Sequence, residues 1–160
     1  MMIVAIGADL AGADVKEALR LELEAAGVEV RDFSPSPADD YPDVAEAVAR
    51  AVALDDVDRG VLVCGTGIGM SISANKVEGV RAALCADPYS ARMSREHNDA
   101  NILCLGGRTI GSGAAVEILR AWLTAGPSHE ERHVRRRAKV DGIEQRAPQA
   151  EPERASTGSA

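Results

Sequence analysis

The residues richest in chemistry stand in one short stretch, Cys64-Gly-Thr-Gly-Ile-Gly-Met-Ser71. Gly65, Gly67 and Gly69 alternate, so the run offers backbone amides with little side-chain obstruction. It matches neither of two common phosphate loops. A dinucleotide fingerprint needs a glycine where Met70 stands, and a Walker A loop needs a Gly-Lys-Ser/Thr step that is absent. A cysteine phosphatase loop would put an arginine at the same Met70 position. What remains is a nest of N–H groups ahead of a helix, suited to an anion such as a phosphate or a developing oxyanion. A tight strand-to-helix turn with incidental glycines is the competing account. Cys64 argues against it, because a thiol at a strand end beside a helix N-terminus is placed to react as thiolate. Cys85 and Cys104 lie inside apolar runs and read as small buried hydrophobes.

Two further groups of residues could take part. His97 lies in Arg95-Glu-His-Asn-Asp-Ala-Asn101, at a helix end. A lone histidine there is more often a solvated cap than a catalyst, but the adjacent Asn98-Asp99 could orient it for acid–base work. Arg132, Arg135, Arg136, Arg137 and Lys139 put five of the chain's 18 basic residues within eight positions. Arg132 and Arg136 are i, i+4 and share a helix face. Two guanidiniums there make either a phosphate clamp or a solvated face matched to Glu130 and Glu131. With His129 and His133 the chain has three scattered histidines, which make no metal-ligand spacing, so no metal is expected.

The elements that position these residues alternate along the chain. Apolar runs at 3–7, 28–33, 60–64, 80–86 and 102–105 read as strands. Amphipathic or short helices are expected over 13–26, 44–54, 70–76, 88–97 and 113–124. Gly27 stops the first helix, and Pro42 suits a first helical turn. Strands separated by helices imply right-handed parallel crossovers and a three-layer α/β/α doubly wound fold with a five-stranded parallel sheet of Rossmann-like type. The pattern leaves strand order open. Residues 128–145 form an extra, highly charged C-terminal helix with thin apolar content, better suited to packing on a partner subunit than to supplying a core. Residues 1–145 thus make one domain, and 146–160, rich in Pro, Ala, Glu and Ser, read as a disordered tail. Ligands collect outside the C-terminal ends of strands in such sheets. On that rim fall Asp9 and Leu10, the Cys64 loop, Asp87-Pro-Tyr-Ser90, and Gly106-Gly-Arg108.

Composition narrows the function classes. The chain has 160 residues, 46% hydrophobic and only 2% aromatic, with a formal charge of −7. Few aromatics disfavour a base-stacking platform, and net negative charge disfavours a polyanion partner, so no nucleic acid is expected. No apolar run approaches a membrane span, and the first residues reach Asp9 before a signal core could form. Three widely spaced cysteines without a CxxC argue against a disulfide framework, and the expected compartment is the cytoplasm.

The segments Cys64–Lys76, Gly79-Val-Arg-Ala82, Ser90–Asn101 and Gly106-Gly-Arg108 together resemble the ribose-5-phosphate isomerase B family, which includes galactose-6-phosphate isomerase subunits and allose-phosphate isomerases. The resemblance runs from about Met2 to Gln145. It implies cofactor-free aldose–ketose isomerisation through a cis-enediolate, in a homodimer or tetramer whose sites use two subunits. By position, Cys64 would be the base moving a proton between C1 and C2. Thr66 would polarise the oxygens, and the amides of Gly65, Gly67, Ile68, Gly69 and Met70 would hold the enediolate charge. His97 would open the furanose ring from across the interface, with Asn98 beside it. Asp9, Asp40 and Tyr41 would contact sugar hydroxyls, and Arg108, Arg132 and Arg136 the phosphate. Some members use a glutamate where Met70 stands; this chain resembles the cysteine type. It departs from the family at Leu10, where a histidine near the phosphate is usual, which bears on substrate identity. The expected reaction converts ribose 5-phosphate to ribulose 5-phosphate, a pentose phosphate pathway step. The alternatives are the same chemistry on another four- to six-carbon sugar or sugar phosphate, and a non-catalytic module binding a phosphorylated ligand.

Overall fold

The computed structural model describes residues 1–34 and 40–146. The expected tail from residue 147 onward, and most of the loop expected over 34–40, lie outside the described residues. Five strands, β1 (Ile3–Ala8), β2 (Glu29–Asp32), β3 (Arg59–Cys64), β4 (Ala82–Leu84) and β5 (Ile102–Gly106), form one parallel sheet in the order β2-β1-β3-β5-β4. Six α-helices accompany them: α1 (Ala13–Ala25), α2 (Tyr41–Ala53), α3 (Ile68–Ala74), α4 (Pro88–Asn98), α5 (Ser112–Thr124) and α6 (Glu131–Glu144).

The two faces of the sheet carry separate cores. Val4, Ile6, Val61, Val63, Leu103 and Leu105 point to one face, where Val15, Leu19 and Leu23 of α1, Ala91 of α4 and Ile118, Leu119 and Trp122 of α5 cover them. Ala5, Leu62, Cys64, Ile102 and Cys104 point to the other, under Val44, Val48 and Val52 of α2 and Met70 and Ala74 of α3. Strands covered on both faces carry apolar residues at nearly every position, and β3 and β5 do so. Trp122 is fully buried beneath two guanidiniums, Arg59 at 5.3 Å and Arg95 at 5.7 Å from its ring centroid.

Local chemistry sets the element ends. Gly27, at φ +76, closes α1 by donating to the Glu24 carbonyl at 3.0 Å, while Val28 donates to Leu23 at 3.0 Å. This is the paired closure that a left-handed glycine after a helix permits. Asp40 stands at the N-cap of α2 and Pro42 in its first turn. Several expected bounds need correction: α2 starts at Tyr41, not Val44, and α6 at Glu131, not Ser128, with the third helix and fourth strand also displaced. The fourth strand is three residues long, not 80–86: it is an edge strand, and side-chain amides take up backbone groups at its start and on its open side. Asn75 exchanges two 2.9 Å bonds with the Ala82 backbone, and Asn101 accepts from the Arg81 N–H at 2.8 Å. Cys85 therefore falls just past the strand, still buried. The third helix begins at Ile68, earlier than the expected Met70, because Gly67 turns the chain at φ +77 and the Ser71 N–H already closes on its carbonyl.

Candidate active site

The order of the sheet sends the chain from β1 to opposite sides, and the loops after β1 and β3 flank that switch point at the C-terminal edge. Cys64 ends β3 opposite Gly106 of β5 and is 5% exposed. The Gly67 N–H donates to its Sγ at 3.2 Å, which fixes the thiol at the mouth of the loop. Gly67 could not readily be another residue. Besides its left-handed backbone, a Cβ there would lie 2.5 Å from Leu84 Cδ1 and 2.9 Å from the Leu105 carbonyl carbon. Thr66 is exposed, and its Oγ1 accepts the Ile68 N–H at 3.3 Å. The N–H groups of Gly69 and Met70 follow in the first turn of α3, where no intrahelical acceptor exists for them. Met70's side chain is fully buried in the core, so only its amide can serve the site.

Three other segments close around this loop. The ring of Tyr41 lies across Gly69, so near that a Cβ would meet Cε2 at 2.6 Å. That brings the start of α2, with exposed Asp40, to the same rim. The loop after β5 is tied to the Cys64 loop by Gly107 N–H to the Cys64 carbonyl at 2.7 Å and Arg108 N–H to Gly65 at 2.9 Å. The Arg108 side chain then passes over Gly65. After β1, Asp9 caps a short 3-10 turn over Leu10–Gly12, its carboxylate accepting the Gly12 N–H at 3.1 Å. Gly12 sits tightly on β3, where a Cβ would come within 2.5 Å of the Val63 carbonyl oxygen. Leu10, on the outside of this turn, is 71% exposed. Asp9, Leu10, Asp40, Tyr41, the Cys64–Met70 loop and Arg108 thus lie on one rim.

His97, Asn98, Arg132 and Arg136 are not part of that cluster. Helix α4 begins on the rim, where Asp87 caps the Ser90 N–H at 2.7 Å, and runs back antiparallel to the sheet. His97 and Asn98 are at its far end, about 14–15 Å along the helix axis from Pro88. There α6 packs on α4, seated by Ser128 N–H to the Glu96 carbonyl at 2.8 Å. Arg132 and Arg136 are exposed on α6, Arg132 paired with Glu130 at 2.8 Å. The charged helix expected to pack on a partner subunit therefore also rests on its own chain, largely uncovered.

The sequence missed one residue of this second cluster. His133 of α6 stacks on His97, ring centroids 4.2 Å apart and planes 5° from parallel. Burial first, then the His97 ring and the Arg132 cation, hold the His133 imidazole below its usual range. The end of α4 is anchored by Asp99, left-handed at φ 50, which accepts from Arg95 at 2.7 Å and Arg81 at 3.3 Å. Cys85 and Cys104 behave as expected of buried apolar residues, with burial pushing both thiols up.

Among the described residues, no group of three or more His, Cys, Asp or Glu side chains could hold a metal ion. Nor is any helix among them long and apolar enough to cross a membrane. The model of the ribose/galactose isomerase family matches residues 4–140. The chain belongs to that family. This isomerase is 46% identical over 146 residues to ribose-5-phosphate isomerase B of Escherichia coli, covering 89% of its own chain and 97% of that relative. It is 48% identical over 128 residues to D-erythrulose-4-phosphate isomerase of Pectobacterium atrosepticum, covering 78% and 84% of the two chains. Its fold matches the solved ribose-5-phosphate isomerase B of Clostridium thermocellum with a TM-score of 0.86 at 47% identity, over 89% and 97% of the two chains.

Proposed function

We propose that this isomerase interconverts ribose 5-phosphate and ribulose 5-phosphate at the rim built around Cys64. The observation that carries the reading is a thiol held at the edge of unobstructed amides, with the carboxylate of Asp9 and the ring of Tyr41 alongside. Abstracting a proton next to a carbonyl needs a base and a preformed site for the oxygen that gains charge. Cys64, as thiolate, takes the proton from C2 of the open-chain aldose, and electron density moves to O1. The free N–H groups of Gly69 and Met70, with that of Gly65, surround that oxygen, and those of Gly67 and Ile68, which donate to Cys64 Sγ and Thr66 Oγ1, lie beside it and hold the catalytic groups in place. Cys64 returns the proton to C1, and the Thr66 hydroxyl relays the O2 proton to O1, which completes the ketose. No group enters or leaves, and no cofactor is needed. Asp9, Asp40 and Tyr41 position sugar hydroxyls.

Ribose 5-phosphate arrives largely as a furanose. His97, with Asn98 beside it, delivers a proton to the ring oxygen as the bond from C1 to that oxygen breaks. The anomeric hydroxyl gives up its proton to water as the C1 carbonyl forms, and the imidazole takes one back from water, so protonation is unchanged overall. This role requires a second copy of the chain, because His97 and Cys64 sit at opposite ends of α4. A homodimer that sets the α4–α6 edge of one subunit against the Cys64 rim of the other completes both sites. It also brings Arg132 and Arg136 to join Arg108 on the phosphate. The exposed apolar residues support such a contact: Ile68 (51% exposed) and Ile72 (57%) on α3, and Val140 and Ile143 on α6. Those α6 residues line an open groove of about 510 Å³ beside Asn98 and the β4 edge. We place the protein in the cytoplasm, where its three free thiols stay reduced.

A second reading keeps the chemistry and changes the sugar. Leu10, exposed on the rim, offers an apolar wall instead of a donor, and several relatives, the Pectobacterium enzyme among them, are named for four-carbon substrates. Turnover measured over a panel of four-, five- and six-carbon sugar phosphates decides between the readings. The first expects the highest kcat/KM on ribose 5-phosphate, and a clear preference for another sugar overturns it.

A further inference from the structure

Helix α6 has fourteen residues and buries one of them, His133. A helix that lies on a protein surface by a single buried contact ordinarily uses an aliphatic side chain there, since a buried polar ring forgoes hydration. Here the residue is an imidazole, 5% exposed, and what it covers is the face of His97. The seat is rigid. Ser128 bonds back to Glu96, one residue before His97, and Arg137 donates to the Ser128 carbonyl at 2.9 Å, closing the turn that leads into α6.

We propose that His133 is a positioning residue for His97: by stacking on it, it fixes the plane of the ring-opening imidazole, and its effect is confined to substrates that close into a ring. The inference rests on the role given to His97 above. Near-parallel rings at 4.2 Å leave His97 little freedom about its side-chain torsions while its ring edge stays free to meet a substrate. The charged groups facing the pair are Glu130, whose carboxylate is 4.0 Å from His133 Nε2, and Arg132 and Arg136 on α6. Burial, the His97 ring and the Arg132 cation all disfavour the charged form of the His133 imidazole, so the stacked face it offers His97 is held toward the neutral state.

The chemistry of the sugars supplies the test. A pentose 5-phosphate has a free 4-hydroxyl and closes to a furanose; a tetrose 4-phosphate has that oxygen esterified and stays open. Turnover of D-ribose 5-phosphate and D-erythrose 4-phosphate is measured for wild type, His133→Ala, His133→Phe and His97→Asn. His133→Ala should lower kcat on ribose 5-phosphate by about tenfold or more, since small misplacement of a catalytic group costs one to two orders of magnitude. Its KM should change little, and its activity on erythrose 4-phosphate should stay within about twofold of wild type, as only the orientation of His97 is altered. His133→Phe keeps the stack and should recover most of the loss.

Equal losses on both sugars, or no loss on either, would overturn the inference, as would a phenylalanine variant no better than alanine. His97→Asn separates this failure from failure of the underlying reading. If His97→Asn spares ribose 5-phosphate turnover, the ring-opening role itself falls; if it abolishes turnover while His133→Ala does not, only the positioning role falls. Independently of activity, the His97 Cε1 proton should resonate upfield under the stacked ring and move downfield in His133→Ala. An unmoved resonance contradicts the stack.

Discussion

Mixing two inactive variants of this isomerase should restore turnover. Within one chain, α4 carries His97 about 14 Å along its axis from Pro88 on the rim, so on the proposed reading a copy by itself does not complete a site. Suppose the site joins the Cys64 rim of one subunit to the α4–α6 edge of the other. In a heterodimer of Cys64→Ala with His97→Asn, one site then receives both defects and the other receives neither. Purified heterodimers should therefore show about half of wild-type activity on ribose 5-phosphate, and a random mixture of chains about a quarter, because about half of its dimers are mixed. The assay is co-expression with two affinity tags, sequential purification, and coupled turnover. Heterodimers of verified composition with no more activity than the parents would refute the shared site and require both clusters to act within one chain.

Other outcomes follow from particular contacts. Gly67→Ala meets a left-handed backbone worth about 1–2 kcal/mol against a side chain, and a close approach to Leu105 besides. Its thermal midpoint should fall by about 5 °C or more, and an unchanged midpoint would contradict the loop geometry. Arg132→Ala and Arg136→Ala should each raise KM about tenfold or more with a smaller change in kcat, as expected for losing a charge-assisted phosphate contact; unchanged KM would return both residues to the solvated face of α6. Leu10→His should lower KM for ribose 5-phosphate by restoring a donor on the rim, and a KM unchanged or raised would mean that position 10 does not govern phosphate recognition.

How much of this could be read from the chain varies with the range of the interaction. The Cys64 loop was legible because glycine spacing, a strand end and a helix start are all local, and the loop after β5 joined it by the rule for parallel sheets. The end of α1 at Gly27 and the place of Pro42 in the first turn of α2 were legible for the same reason. Strand order was not, because right-handed crossovers permit several arrangements of five strands, and the packing of two separate cores selects among them. The extent of β4 was hidden by the side chains of Asn75 and Asn101, which take over backbone bonds an apolar run would be expected to make itself. The stacking of His97 on His133 was the least accessible feature. It depends on how α6 folds back over α4, and spacing along the chain carries no trace of it.

Proton exchange on the substrate gives the most direct measurement of the mechanism. Ribose 5-phosphate is incubated in deuterated water with wild type and with Cys64→Ala. Deuterium entering at C2 and ribulose 5-phosphate formed are followed by NMR, and ligand affinity by calorimetry. Loss of a general base typically costs 10²–10⁴ in rate, so Cys64→Ala should slow both exchange and isomerisation by at least about 10²-fold while binding stays within a few-fold of wild type. Exchange or isomerisation at a near-normal rate in Cys64→Ala, or a wild type that binds the sugar phosphate and neither exchanges nor isomerises it, would contradict proton transfer by Cys64.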